Sequence, residues 1–246
     1  MRKYLICFIT TFIFYQGFTQ EKILIGNITI VGNKITKEAI ILREITFKKG
    51  DFLSQKQIDI KTKQSKENLV NLNLYNFVDI SSENSGRKTN IIIEVVERWY
   101  IWPYPILELS ERNFNVWWDE FKESKYSDFS RMNYGVYLVW ENFRGKKELL
   151  KLKYRKGFKE HYLFKYEIPY FNKEKTIGIS AFAQHFRRKK SFYNTMDNKL
   201  LYYEKQDGYS TKDSEFQITI LYRKNTRNKH KLRLNYLQSN IADSIK

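Results

Sequence analysis

The chain has one cysteine in 246 residues. That residue, Cys7, sits in the first apolar run, so everything after it lacks thiols and can form neither a disulfide framework nor a cysteine metal site. The Tyr4-Leu5-Ile6 stretch before it lacks the small residues that a lipid-anchored cysteine needs. Proline is scarce at three and glycine low at ten, which removes collagen-like and Gly/Pro-rich disordered classes. No segment beyond the first apolar run offers the roughly 18 uncharged apolar residues of a transmembrane helix. The three histidines, His161, His185 and His230, lack ligand spacing. Ser180 and His185 are five apart on one expected strand and so face opposite ways. No Gly-rich phosphate loop occurs. No catalytic, metal or cofactor residue is therefore expected.

Charge and rings are plentiful. Net charge is +17, with 29% charged and 17% aromatic residues. Disordered chains are poor in aromatics, so disorder does not explain the charge. Alternating strands do, with rings on one face and cations on the other. Lys151, Lys153, Arg155, Arg223, Lys231 and Arg233 share one expected face, and most rings fall on the other. A nucleic-acid site would mix stacking rings with cations, so no nucleic-acid partner is expected. Arg187-Arg188-Lys189-Lys190 reads as a solvated run in a long loop.

The N-terminus reads as an export signal over residues 1–19. Arg2 and Lys3 precede the apolar run Tyr4 to Phe14, and Gly17 and Thr19 are the small residues before a cut at Gln20.

Two regimes follow. Residues 20–98 read as β-α-α-β-β. Ile23 to Val31 is a strand with Leu24, Ile28 and Ile30 on one face. Thr36 is the expected cap of a first short helix holding Ala39, Ile40, Leu42 and Ile45. Ser54 and Gln57 form a capping box for a second helix reaching about Leu72. Phe77 to Ile80 is a short strand. The apolar run Ile91 to Val96 suits a central one. After Glu97 the helical period is lost, and residues 99–246 read as strands of about ten residues divided by polar turns. Asn133–Glu141, Glu148–Lys156, His161–Phe171, Thr176–Phe186, Leu200–Lys205, Glu215–Arg223 and Lys231–Leu237 each alternate. This dyad pattern fits a transmembrane β-barrel, with Tyr134, Trp140, Tyr162, Phe164, Tyr166 and Tyr170 facing lipid. It also suits a soluble antiparallel sheet with one wet face.

Several motifs resemble a known family. Ile28 through Val31-Gly32-Asn33-Lys34-Ile35-Thr36, and Leu74-Tyr75-Asn76-Phe77-Val78-Asp79-Ile80 leading to Ile91-Ile92-Ile93-Glu94-Val95-Val96-Glu97-Arg98, resemble a POTRA (polypeptide-transport-associated) domain. Trp140-Glu141-Asn142-Phe143-Arg144-Gly145 and Glu167-Ile168-Pro169-Tyr170-Phe171 resemble the second strand with its turn, and the fourth strand's end, in the BamA/TamA-like outer-membrane barrels. The resemblance implies an α+β POTRA module followed by an antiparallel transmembrane β-barrel. The barrel here is partial, with about eight strands of a family total of about sixteen. The late Val/Ile-Arg-Gly-Phe/Tyr motif and a terminal aromatic are absent, so the chain reads as truncated.

The resemblance further implies an outer-membrane assembly or translocation factor that is not an enzyme. Clients would add to the POTRA edge strand at Phe77, Val78, Asp79 and Ile80. They would also meet a seam at the first barrel strand, about Ile106 to Arg112, through Ile106, Leu107, Glu108 and Leu109. The implied partners are outer-membrane lipid, unfolded outer-membrane or exported clients, and periplasmic accessory proteins. The implied place is the outer membrane, with the N-terminal domain in the periplasm. Two other readings stand beside this one: a small outer-membrane pore or structural barrel with a periplasmic module, and a soluble periplasmic β-sheet protein binding an anionic polymer.

Overall fold

The computed structural model describes residues 22–109, 114–196, 199–204, 208–224 and 228–242. The expected export signal with Cys7, and residues 243–246, lie outside the described residues. The chain divides into two units, one holding residues up to Asn33 with Glu44–Glu97, the other holding Lys34–Arg43 with Arg98–Lys246.

The first unit is built on a four-stranded sheet. Its strands are β1 (Ile23–Val31), β2 (Phe52–Leu53), β3 (Tyr75–Ser85) and β4 (Lys88–Glu97), in the order β2-β1-β4-β3. β1 runs parallel to β4, and the outer pairs are antiparallel. β4 alternates strictly, with Thr89, Ile91, Ile93 and Val95 buried and the residues between them more open. That period of two turns one face of the sheet into the core. An irregularity between Ile25 and Ile28 shifts the parity of β1, so Ile25 is the buried residue opposite Thr89. The expected Leu24 pairs instead with exposed Lys88. The Asn90 side chain accepts from the Asn27 amide at 2.9 Å, replacing the ladder bond lost there.

Helix α1 (Glu38–Glu44) begins two residues after Thr36, and most of it belongs to the second unit. Helix α2 (Gln55–Val70) starts on the expected capping box. The Gln57 amide donates to Ser54 Oγ at 3.4 Å, and the Ser54 amide donates to Gln57 Oε1 at 3.0 Å. Ile58, Ser65 and Leu69 form its buried stripe. The Ser65 hydroxyl donates to the Lys61 carbonyl at 2.7 Å, so its burial leaves no donor unmet.

The second unit carries a seven-stranded antiparallel meander. Its strands are β5 (Ile101–Leu109), β6 (Met132–Phe143), β7 (Glu148–Gly157), β8 (Lys159–Ile168), β9 (Ile177–Arg188), β12 (Thr211–Tyr222) and β13 (His230–Ile241), in the order β13-β12-β9-β8-β7-β6-β5. A hairpin of β10 (Lys190–Met196) and β11 (Lys199–Glu204) forms a separate two-stranded sheet. The expected strand at Leu200–Lys205 is thus real to Glu204 but pairs with β10 and not with the meander. Helix α3 (Phe114–Glu123) stands between β5 and β6 and departs from the all-strand expectation. Phe114, Trp117, Trp118 and Phe121 recur at helical spacing and stack on one another, Trp117 on Phe121 at 4.9 Å.

Register carries the alternation across the whole meander. Leu138, Leu152, Phe164, Ala183, Phe216 and Tyr236 oppose one another in turn. Leu150, Tyr166, Ala181, Ile218 and Leu234 continue that apolar face. Lys151, Lys153 and Arg155 of β7 point the other way, toward Lys165, Leu163 and His161 of β8. Among the described residues no helix is long and apolar enough to cross a membrane, which says nothing of strands.

Candidate strand-pairing edges

Both sheets expose an edge strand where the sequence reading placed a binding site. In the first unit β3 is the edge, and β4 lies between β1 and β3. Phe77, Val78, Asp79 and Ile80 all fall on β3, but their side chains divide. Val78 and Ile80 are buried in the core, while Phe77 is 55% exposed. Lys66 of α2 meets Asp79 at 2.9 Å. That hydrogen bond and the lysine's charge hold the Asp79 carboxyl below its ordinary value. The strand therefore offers its backbone and Phe77, not four side chains. An extra residue at Asn76 bulges the start of β3, a feature that re-aims edge strands.

In the second unit β5 is the edge beside β6. It starts at Ile101, five residues before the expected start, and Leu109 is its last strand residue. The expected extension over 110–112 lies outside the described residues. Ile106, Leu107, Glu108 and Leu109 form its second half. Glu108 accepts from Arg155 of β7 at 3.2 Å, across the intervening β6. Gly135, opposite Ile106 and Arg155, makes this possible. A Cβ on Gly135 would lie 1.9 Å from the Tyr154 carbonyl, so no larger residue fits without moving the backbone.

The expected lipid-facing rings are less uniform. Tyr134 and Phe164 are exposed on the apolar face. Trp140, Tyr162 and Tyr166 share that face in register but are half-buried. The Tyr166 hydroxyl donates to Glu148 at 2.8 Å and accepts from Arg144 at 2.6 Å. Arg144 also grips buried Glu148 through two bonds of 2.8 and 2.9 Å. Tyr170 is not a strand residue. β8 ends at Ile168, before Pro169, which has no amide to continue the ladder. Tyr170 instead lies under the Arg43 guanidinium, 4.4 Å from the ring centre. Arg43 donates to the Lys175 carbonyl at 2.9 and 3.2 Å.

The turn after β6 is a second anchoring point inside the same unit. Asn142 Nδ2 donates to the buried Thr36 hydroxyl at 2.8 Å, which ties the residue expected to cap α1 to a turn 106 positions away. The Lys37 amide donates to the Gly145 carbonyl at 2.9 Å. Gly145 has φ +70°, and a Cβ there would meet the Ile35 carbonyl at 2.0 Å. Arg187 and Arg188 are the last residues of β9, not part of a loop. Arg187 pairs with Glu160, and Arg188 with Asp213 at 3.6 Å.

Comparisons with known proteins bear on the fold that carries these edges. Residues 23–98 match the family model described as POTRA, surface antigen variable number repeat. Residues 23–98 are thus a POTRA domain. Over 88% of the chain's length its fold is similar to BamA from Haemophilus ducreyi lacking POTRA domains 1–3, with a TM-score of 0.54 and 18% identity. It covers 36% of that BamA chain. CdiB from Acinetobacter baumannii aligns at TM-score 0.45 and 15% identity, over 91% of this chain and 39% of that one. CdiB from Escherichia coli aligns at 0.43 and 11%, over 89% and 38%. No curated protein sequence matches the chain. The POTRA domain followed by a partial barrel sheet is the architecture that the motifs implied.

Proposed function

We propose that this protein works at an outer membrane in the assembly or translocation of other proteins. It acts by strand templating and not by catalysis. The observation that carries the reading is the pair of edges, β3 on the POTRA sheet and β5 on the barrel sheet, each paired with a strand on one side only among the described residues. An extended client can add a strand at such an edge through main-chain hydrogen bonds. In this reading the apolar face through Leu152, Phe164 and Phe216 meets lipid, and the face with Lys151, Lys153 and Arg155 looks inward. Residues 1–19 export the chain and are removed, and the POTRA domain stands in the periplasm, where accessory proteins can meet it.

The test is amide exchange on the full chain in dilauroylphosphatidylcholine vesicles, with a urea-unfolded small outer-membrane barrel protein as probe. Slower exchange over Phe77–Ser81 and Ile106–Leu109 is expected. Unchanged exchange at both edges refutes the reading.

A further inference from the structure

The free edge of β5 is not uniform along its length. Pro103 pairs with Leu138 and Pro105 with Val136. Just ahead of them the Glu141 amide donates to the Tyr100 carbonyl at 2.8 Å, which sets even-numbered residues facing β6. In an antiparallel ladder the hydrogen-bonding groups of successive residues point to opposite sides. Ile101, Pro103, Pro105, Leu107 and Leu109 therefore turn theirs to the free edge. Proline has no N–H, so Pro103 and Pro105 supply no donor there. The Trp99 indole donates to the Ile101 carbonyl and occupies that acceptor. Leu107 and Leu109 keep both backbone groups, and Leu107 is 74% exposed.

We infer that β5 accepts a partner strand only beside Ile106–Leu109, and that Trp99, Pro103 and Pro105 close the rest of the edge. The occupant is an extended strand from another chain, alternating apolar and polar residues. Its apolar side continues the face that carries Leu107, Tyr134 and Val136. The inference rests on the templating reading above and adds its register. A strand laid beside the prolines leaves its own carbonyls without donors and meets the pyrrolidine rings. Inside a bilayer no water can satisfy those carbonyls. Edge proline is a general device against unwanted pairing. The surviving ladder is short, so a strand that joins there can also leave.

Disulfide capture in the full chain tests this. A strand added at the free edge faces even-numbered β5 residues at non-hydrogen-bonded sites, where Cα atoms lie about 4.5 Å apart, within disulfide reach. The chain, with Cys7→Ser, is placed in dilauroylphosphatidylcholine vesicles. The probe is an alternating Val-Thr peptide of about ten residues with one central cysteine. Glu108→Cys is expected to capture it at least about tenfold more than Tyr104→Cys, because the proline half is closed. Adding Pro103→Thr and Pro105→Thr is expected to raise capture at Tyr104→Cys to within about twofold of Glu108→Cys. Equal capture at both positions with the prolines in place overturns the inference and leaves templating intact. No capture at either position overturns templating at β5, and the inference with it. Trypsin resistance of β6–β9 reports that the sheet has formed. The two single-cysteine variants decide the matter even where the double threonine variant does not form it.

Discussion

Ile93→Ala against Val96→Ala puts the parity of the POTRA sheet to a quantitative test. The two residues lie three apart on β4 and face opposite sides of the sheet. Ile93 is 0% exposed and Val96 53%. Truncating a fully buried isoleucine removes its transfer energy and leaves a cavity, a loss of about 2–5 kcal/mol. An exposed substitution changes stability by about 0.5 kcal/mol or less. For a domain of this size each kcal/mol moves the melting temperature by roughly 4–8 °C. Ile93→Ala should thus lower POTRA melting by on the order of 10 °C or more, and Val96→Ala by under about 4 °C. The assay is amide exchange of the β4 ladder against temperature in the full chain, which isolates the POTRA domain from the barrel sheet. Equal losses from the two variants would refute the one-sided core and with it the assignment of β4 as a half-buried central strand.

Gly135→Ala should break the β6–β7 register, because its Cβ must displace the Tyr154 carbonyl; loss of the Glu108–Arg155 link then shows as faster exchange in the second half of β5. Phe121→Ala should loosen α3 by about 3–5 kcal/mol, read as a red shift of Trp117 and Trp118 fluorescence, since its ring packs on both indoles at 4.9 and 6.0 Å. Asp79 should make β3 sensitive to acid. Its folded carboxyl is held below the ordinary 3.8, so its contribution is complete above that value and disappears as pH falls through the lower folded value. Exchange at β3 should accelerate there, and Lys66→Ala should abolish that pH dependence; persistence of the dependence in Lys66→Ala would point to another carboxylate.

Local signals were readable where they were short-range. The alternation of Leu150, Leu152 and Tyr154 against Lys151, Lys153 and Arg155 places β7 without any partner, because side-chain direction has a period of two. Ser54 and Gln57 announce α2 in the same local way. The departures have physical reasons. The irregularity after Ile25 depends on the Asn90 side chain, 63 residues away from the Asn27 amide that it accepts from, so sequence parity alone favours Leu24. The bond between Asn142 and Thr36 spans 106 residues, which no local pattern reveals. The Leu200–Lys205 strand has the right composition, but it pairs with the neighbouring Lys190–Met196, a strand that the alternation did not mark. Two departures had a visible signal. Phe114, Trp117, Trp118 and Phe121 repeat at helical spacing, and Pro169 marks the end of β8 ahead of Tyr170. The edges were readable as positions, but their closure by Trp99, Pro103 and Pro105 depends on which side each backbone group faces.

The central claim is that the seven-stranded sheet stands in a membrane with its apolar face toward lipid and carries a POTRA domain outside it. Single cysteines stepped along β7 from Leu150 to Arg155, in a Cys7→Ser chain recovered with membranes, test it most directly. The account predicts that positions 150, 152 and 154 are quenched by a lipid-borne probe and resist a charged thiol reagent, while 151, 153 and 155 do the reverse. Equal labelling of all six positions by the water-borne reagent would contradict it.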